Sequence, residues 1–210
     1  MEGLMVRQYF FFLLFAFQGI ASSLSDESFR YRPELQQMLY HWEVGGESLL
    51  NLLTVRDIGG ELVVGVGHDV LPSDSLSVHD TITLKRASEL FSQDTDKAIA
   101  GAMADVPNLL SYPRPVQLTL CAHAFQLGER GLSEFKKTLS LLREKNYKGA
   151  SAELLRSQWA RQTPERAKAM AYLLGTGSSH QELLGLCRSM EAGDVTLAEA
   201  ASLLRGSLGR

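Results

Sequence analysis

The chain has 210 residues, enough for one domain with two lobes that share a cleft but too few for two large independent domains. Its 21 lysines and arginines against 24 aspartates and glutamates give a net charge of −3, which argues against a nucleic-acid partner bound through its phosphates. Two cysteines cannot build a disulfide-dense scaffold, and no cysteine–histidine cluster has zinc-site spacing, so we expect neither a metal nor another cofactor.

Residues 1–22 are predicted to be a signal peptide or a membrane-export anchor. An apolar run at 10–17 follows Arg7, and Gly19-Ile20-Ala21 has the small residues of a cleavage site. The run is shorter than the roughly 20 apolar residues of a spanning helix. A buried core helix is the alternative interpretation. We therefore expect an exported protein, periplasmic or secreted, with transient membrane association if the segment is retained.

Residues 33–43 are predicted to form an amphipathic helix that ends at Glu43. Pro33 suits the first turn of a helix. Apolar residues then recur at helical spacing, namely Leu35, Met38, Leu39 and Trp42. A carboxylate at the helix C-terminus beside Trp42 meets the negative end of the helix dipole and loses hydration, and both effects favour its protonated form. Glu43 is thus a candidate general acid.

A β-hairpin is predicted next, because β-rich runs at 52–56 and 62–66 flank the sequence Asp-Ile-Gly-Gly at 57–60. The paired glycines permit a turn with positive φ. Asp57 should be solvated and ionised there, and a protonated acid with an ionised partner is what cleavage of a glycosidic bond requires. A solvated helix-end glutamate and a turn-forming aspartate are the alternative interpretations.

The rest of the chain is predicted to be helical after a polar loop at 69–80. Thr83 is the expected cap of a helix with one apolar face, formed by Ala87, Leu90, Phe91 and Ala98. Pro115 opens a segment, 116–127, whose apolar character all round is typical of a buried helix, and Cys121 within it is expected to be a buried free thiol. Further helices are predicted at 132–144, 147–158, 164–174, 180–191 and 196–205.

Four separated blocks of the sequence resemble the phage-type lysozymes, especially those of the T-even phages. They are Asp57-x-x-Gly60 with Gly65-Val66-Gly67-His68, then Ile82-Thr83 through Asp94-x-Asp96, then Phe125-Gln126-Leu127-Gly128-Glu129-x-Gly131, and then Ser157-x-Trp159 through Lys168. Their order and spacing hold from residue 34 to residue 177.

The resemblance implies an α+β, mostly α, lysozyme-like fold: a small N-terminal lobe with the hairpin, a long connecting helix and a helical C-terminal lobe. The lysozyme domain would span 33–177, and 178–210 would be a helical C-terminal extension. The implied activity is that of a muramidase, which cuts between N-acetylmuramic acid and N-acetylglucosamine in the glycan strands of peptidoglycan. We expect it to act as a monomer.

The resemblance also implies residue roles. Glu43 would be the general acid and Asp57 the second carboxylate. His68 and Asp94 match a family ion pair that fastens the hairpin region to the connecting helix. The alternative interpretation is that they are two unrelated surface residues. Sugar contacts are implied for Gly67, Phe125, Gln126, Thr138 and Thr163. Phe125 has an alternative role in the core, and Thr163 has one as a helix cap.

Two departures from the family pattern leave alternatives open. Thirteen residues lie between Glu43 and Asp57, more than in the family, so Glu47, with nine intervening residues, competes as the acid. The apolar helix that leads into Glu43 favours Glu43. Val63 stands where the family has a threonine that helps to hold the attacking water, so another group, such as Thr54, would have to position it. A lytic transglycosylase and an inactive peptidoglycan-binding module are therefore alternatives.

Overall fold

The computed structural model describes most of the chain between Phe29 and Thr176. The described ranges are 29–44, 47–128 and 131–176. The predicted export segment at 1–22 and the extension at 178–210, with its two predicted helices, lie outside the described residues.

The chain divides into two compact units. The first contains the described residues up to Ala104 together with Cys121–Gly128, and the second contains 105–120 and 131–176. Helices predominate among the described residues, and the strands form one three-stranded antiparallel sheet. This confirms the predicted α+β, mostly α, fold class. Within the same ranges, no helix combines the length and the apolar character needed to cross a membrane.

The first unit opens with helix α1, Arg32–Val44, close to the predicted bounds. Leu35 and Leu39 are fully buried, as their spacing indicates. The guanidinium group of Arg32 donates to Asp96 at 2.8 Å and to the Ser92 hydroxyl at 3.0 Å. Both partners lie on the long helix α3, so the start of α1 is held against α3.

The predicted strand at 52–56 is wrong in its first half. Leu49–Leu53 forms the short helix α2, and Ser48 caps it, because its hydroxyl oxygen accepts a hydrogen bond from the Asn51 N–H at 3.2 Å. Leucine is a strong helix former, and the cap satisfies an amide that a helix start leaves unpaired. These local preferences outweigh the strand pattern. Strand β1 is therefore confined to Arg56–Ile58.

The predicted hairpin is present. Strand β2, Glu61–Val64, pairs antiparallel with β1 across a two-residue turn. Gly59 has φ of +70° and Gly60 has φ of +96°, so both glycines adopt the left-handed backbone that the sequence predicts for this turn.

The second strand ends two residues earlier than predicted, at Val64 rather than Val66. Gly65 has φ of +65°, which takes the backbone out of the extended conformation. The chain then turns back, and β3, His68–Asp69, pairs antiparallel with β2.

Helix α3, Leu84–Asp105, follows the polar loop. The predicted cap is observed, since the Thr83 hydroxyl accepts a hydrogen bond from the Arg86 N–H at 3.1 Å. The predicted apolar face of α3 is buried. Leu90 on this face joins Val55 and Val64 of the hairpin region in one hydrophobic cluster, so α3 and the sheet share a core.

Helix α4, Arg114–Leu127, contributes residues to both units, with the division falling between Leu120 and Cys121. Every side chain from Pro115 to Ala124 is buried, as the apolar sequence predicts. The polar Thr119 among them is satisfied, because its hydroxyl donates to the Pro115 carbonyl at 2.8 Å. Cys121 is a buried free thiol, and burial raises its pKa.

The remaining helices of the second unit are short. They are α5, Lys136–Arg143; α6, Tyr147–Leu155; α7, Gln158–Gln162; and α8, Pro164–Thr176. The predicted helix at 147–158 is two helices, because Ser157 caps α7 by accepting a hydrogen bond from the Ala160 N–H at 3.0 Å.

Candidate active site

Glu43 lies in the last turn of α1 and is half-buried. Its carboxyl group lies directly against the backbone of Gly67, in the turn between β2 and β3. A methyl group placed on Gly67 would be 3.4 Å from Glu43 Oε2 and 3.6 Å from its Cγ. Gly67 also has φ of +73°, a conformation that other residues adopt at a cost. The backbone conformation of this turn therefore favours glycine, and an added methyl group would lie in van der Waals contact with Glu43.

Asp57 lies in β1, immediately before the hairpin turn, and is exposed to solvent. Its Oδ1 accepts a hydrogen bond from the Gly60 N–H at 2.8 Å. This contact orients the carboxylate over the turn and gives the turn a partner for one of its amides. Asp57 thus has the solvated environment that the sequence predicts for it.

Glu47 is engaged differently from Glu43. Its Oε1 lies 2.6 Å from the Arg56 guanidinium group in a half-buried ion pair. Arg56 belongs to β1 and directly precedes Asp57. Glu47, the competitor for the role of acid, is therefore paired with a cation on the strand that carries Asp57.

His68 is buried at the start of β3 and is held between two carboxylates. Its Nδ1 lies 2.6 Å from Asp94 Oδ2 on α3, and its Nε2 lies 3.1 Å from Asp74 Oδ2 in the loop after β3. Asp74 also pairs with Arg86 of α3 at 2.9 Å and accepts a hydrogen bond from the Leu71 N–H. The hairpin region and α3 are joined through this cluster.

The ionisation of this cluster follows from its contacts. Burial of the His68 imidazole opposes protonation, but the hydrogen bonds and charges of Asp94 and Asp74 outweigh it and raise the pKa of His68 above its usual value. Burial likewise opposes ionisation of Asp74, yet hydrogen bonds from Leu71 and His68 and the Arg86 charge lower its pKa. The folded state therefore favours a protonated His68 beside an ionised Asp74.

Asp74 is the member of this cluster that the sequence does not reveal. It lies six residues after His68 in a polar loop, and nothing in the neighbouring sequence distinguishes it from Asp69 and Asp80 as a partner for His68. Its role depends on the loop, where the turn Pro72–Asp74 brings the carboxylate back to the imidazole. The one available signal was Arg86, a charged residue in the first turn of α3 that could pair with a carboxylate of the preceding loop.

The predicted sugar contacts fall in both units. Phe125 and Gln126 lie in the last turn of α4, in the first unit, and both are half-buried. The Phe125 ring packs edge to face on Phe91 of α3, with centroids 6.1 Å apart. Part of Phe125 therefore serves the core of the first unit, the alternative that its sequence left open.

Thr138 and Thr163 lie in the second unit. Thr138 is buried in α5, with 4% of its surface exposed, so most of its side chain serves packing. Thr163 is half-buried, and its hydroxyl donates to the Trp159 carbonyl at 3.1 Å. The Thr163 carbonyl accepts from the Ala167 N–H at the start of α8. Contacts of either threonine with sugar stay predictions.

Within the described ranges, no group of three or more histidine, cysteine, aspartate or glutamate side chains is arranged to hold a metal ion.

The chain is similar to several known lysozyme-type proteins. The family model described as Phage lysozyme matches residues 47–175, a range that contains Asp57 and begins after Glu43. A peptidoglycan hydrolase of Pseudomonas phage phiKMV, gp36, is 30% identical over 149 residues, which is 71% of this chain and 15% of that protein.

Two relatives come from Dictyostelium discoideum. Probable T4-type lysozyme 2 is 26% identical over 147 residues, covering 59% of this chain and 85% of that protein. Probable T4-type lysozyme 1 is 27% identical over 117 residues, covering 54% of this chain and 67% of that protein. The matched part of this chain thus corresponds to a small part of the phage hydrolase and to most of each Dictyostelium protein.

Proposed function

Because the chain belongs to the phage lysozyme family, whose members are glycoside hydrolases, we propose that it is a muramidase. It cleaves the bond between N-acetylmuramic acid and N-acetylglucosamine in peptidoglycan by general acid catalysis. Glu43 gives its proton to the leaving oxygen, and Asp57 stabilises the developing cation or activates water on the other side. The names of the relatives, a peptidoglycan hydrolase and T4-type lysozymes, support this substrate.

The observation that carries the proposal is the position of Glu43 against Gly67. The glycine turn leaves the carboxyl group close to bare backbone, with no side chain of residue 67 in the way. Asp57 is exposed on the hairpin that precedes this turn. An acid on a helix end and an exposed, pre-oriented carboxylate on a neighbouring hairpin are the two groups that the reaction needs.

Glu47 is the weaker candidate for the acid. One of its oxygens is held by Arg56 at 2.6 Å, so a proton transfer from this carboxyl group would first have to break the ion pair. Glu43 lies beside Gly67, in the turn between β2 and β3. The helix that leads into Glu43 also supports it.

Lytic transglycosylation is the second candidate, and Val63 is the observation that favours it. Val63 lies in β2, half-buried, and has no hydroxyl to hold water. The hydroxyl of Thr54 donates to the Leu50 carbonyl at 2.7 Å, so its proton is committed to the backbone of α2. A transglycosylase needs the acid but uses a hydroxyl of the sugar as nucleophile instead of water.

The test is a digest of purified sacculi by the full chain, with products identified by mass spectrometry. We expect reducing muramic ends, and anhydro ends would assign the chain to transglycosylation. Glu43→Gln should lower the rate by about 10² to 10⁴-fold, the usual contribution of a general acid.

The control is Glu61→Gln, the same chemical change at an exposed position of the hairpin, which should act at the parent rate. If Glu43→Gln cleaves like the parent, Glu43 is not the acid. If the parent binds sacculi without releasing either kind of end, the chain is a binding module and the proposal is wrong.

A further inference from the structure

Glu47 touches both elements that carry the proposed catalytic carboxylates. Its backbone N–H donates to the Val44 carbonyl at 2.8 Å, at the end of α1 and one residue beyond Glu43. Its side chain binds Arg56 at 2.6 Å, in β1 and one residue before Asp57. One residue therefore links the helix of the acid to the strand of its partner.

The chain between the two carboxylates makes this link important. Thirteen residues separate Glu43 from Asp57, and they include the separate helix α2. A longer connection fixes the distance between its ends less tightly, because the number of accessible arrangements grows with length. A cross-link between the ends of the connection removes that freedom. The Glu47–Arg56 ion pair is such a cross-link.

Arg56 can hold the strand without competing for Asp57. Successive side chains of a strand point to opposite faces of the sheet, so Arg56 and Asp57 project to different sides. Arg56 is directly opposite Val63 in β2, and these two side chains share a face. The guanidinium group is thus positioned to fix β1 from the side away from the Asp57 carboxylate.

The Glu47–Arg56 ion pair is partly buried, so its removal should have a measurable effect. The side chains of Arg56 and Glu47 are 30% and 32% exposed. Glu47 Oε2 and Arg56 Nε are both buried atoms without a hydrogen-bond partner among the described residues. Removing either residue leaves the other charge half-buried and unpaired, which is more damaging than removing both.

We propose that Glu47 and Arg56 are positioning residues for the reaction proposed above: their ion pair sets where the Asp57 strand lies relative to the Glu43 helix. The inference depends on that proposed function, because it needs Glu43 and Asp57 as the reacting groups. Neither residue of the pair exchanges a proton with substrate. The pair acts on the turnover rate through geometry, to which catalysis is sensitive at the level of about 1 Å.

The test measures kcat and KM separately on soluble glycan fragments, together with the pH profile and the melting temperature. Glu47→Gln and Arg56→Met should each lower kcat by about 10-fold, within the range expected for a misplaced reacting group. KM and both limbs of the pH profile should stay as in the parent. The double variant should be no slower than the single ones, and the exchange Glu47→Arg with Arg56→Glu should recover part of kcat.

The control is Glu153→Gln, which removes a 2.9 Å ion pair with Lys137 in the second unit and should leave kcat unchanged. Arg56→Lys keeps the charge and loses the planar guanidinium, so its kcat should fall between the parent and Arg56→Met. This milder variant gives a result even if Arg56→Met does not fold.

Three outcomes would overturn the inference. Equal kcat per folded molecule with a lower melting temperature would make the pair a stabilising contact only. Losses that multiply in the double variant would show that the two residues act separately. Loss of the alkaline limb of the pH profile in Glu47→Gln would make Glu47 the acid itself, because activity falls there as the general acid ionises. Glu43→Gln, measured alongside, tests the proposed function by itself, since its parent-like activity would refute that proposal whatever Glu47 does.

Discussion

At the scale of single residues, Gly67 is the most constrained position near the candidate site. It combines a positive φ with the Glu43 carboxyl group within van der Waals distance of where a side chain would begin. The sequence shows a glycine at this position but not what it does. The structure shows that the positive φ favours glycine and that no side chain of residue 67 lies against the Glu43 carboxyl group, and these two features have separable consequences.

Gly67→Ala should therefore lose both stability and activity. The left-handed backbone should lower the free energy of unfolding by about 1 to 2 kcal/mol, and the new methyl group should lie against the Glu43 side chain and cover one side of its carboxyl group. Gly128→Ala is the matched control, since Gly128 has φ of +74° and nothing within 4 Å of the new methyl group. Chemical denaturation should give similar losses for both variants, while kcat should fall only for Gly67→Ala. Equal kcat in the two variants would contradict the contact with Glu43.

At the scale of elements, the sequence predicts most of what a local pattern can specify. The period of apolar residues predicts α1 and α3, and the glycine pair predicts the hairpin turn, because these features depend on residues close in the chain. Helix α2 was missed because four leucines in five residues suit a strand as well as a helix. Asp74 was missed because its contact with His68 depends on how a loop folds back.

The cluster around His68 should make stability depend on pH in a defined direction. The raised pKa of His68 stabilises the fold below its unfolded pKa of about 6.5, and this contribution is lost as pH rises through the folded pKa. The lowered pKa of Asp74 contributes above its unfolded pKa and is lost as pH falls through the folded value. Together they favour a stability maximum in weakly acidic solution.

His68→Asn should accordingly destabilise the protein by about 3 kcal/mol at pH 5, because it leaves Asp74 and Asp94 without their shared partner. The difference in unfolding free energy from the parent should shrink as pH rises to 9. His79→Asn, at an exposed histidine of the same unit, is the control and should show only a small difference. A constant difference for His68→Asn across this range would mean that folding does not change the pKa of His68, and a difference that grows with pH would mean that the folded state holds the imidazole neutral.

At the scale of the whole molecule, α4 is the element that both units share. Its apolar sequence predicts burial, and the burial is observed on every side from Pro115 to Ala124. The sequence does not predict that the helix would be divided between two units, because that division depends on contacts far apart in the chain. We expect this shared helix to couple the unfolding of the two units.

Leu118→Ala tests this coupling. Leu118 is 2% exposed in the part of α4 assigned to the second unit, and its truncation should cost about 2 to 5 kcal/mol. Labelling of Cys121, which lies in the first unit, should then accelerate by about tenfold for each 1.4 kcal/mol if the units unfold together. The measurement uses a Cys187→Ser background, so that Cys121 is the one thiol that can be labelled. Unchanged protection of Cys121 would mean that the units unfold independently.

The anchoring of α1 at its first residue has a mechanical consequence for its last turn. Eleven residue steps separate Arg32 from Glu43, so α1 is a lever of about 17 Å. A tilt of about 3° at the Arg32 end would carry the Glu43 carboxyl group through about 1 Å, the error that catalysis tolerates poorly. The hydrogen bonds of Arg32 to Asp96 and Ser92 therefore help to fix the position of the Glu43 carboxyl group, although they do not contact it.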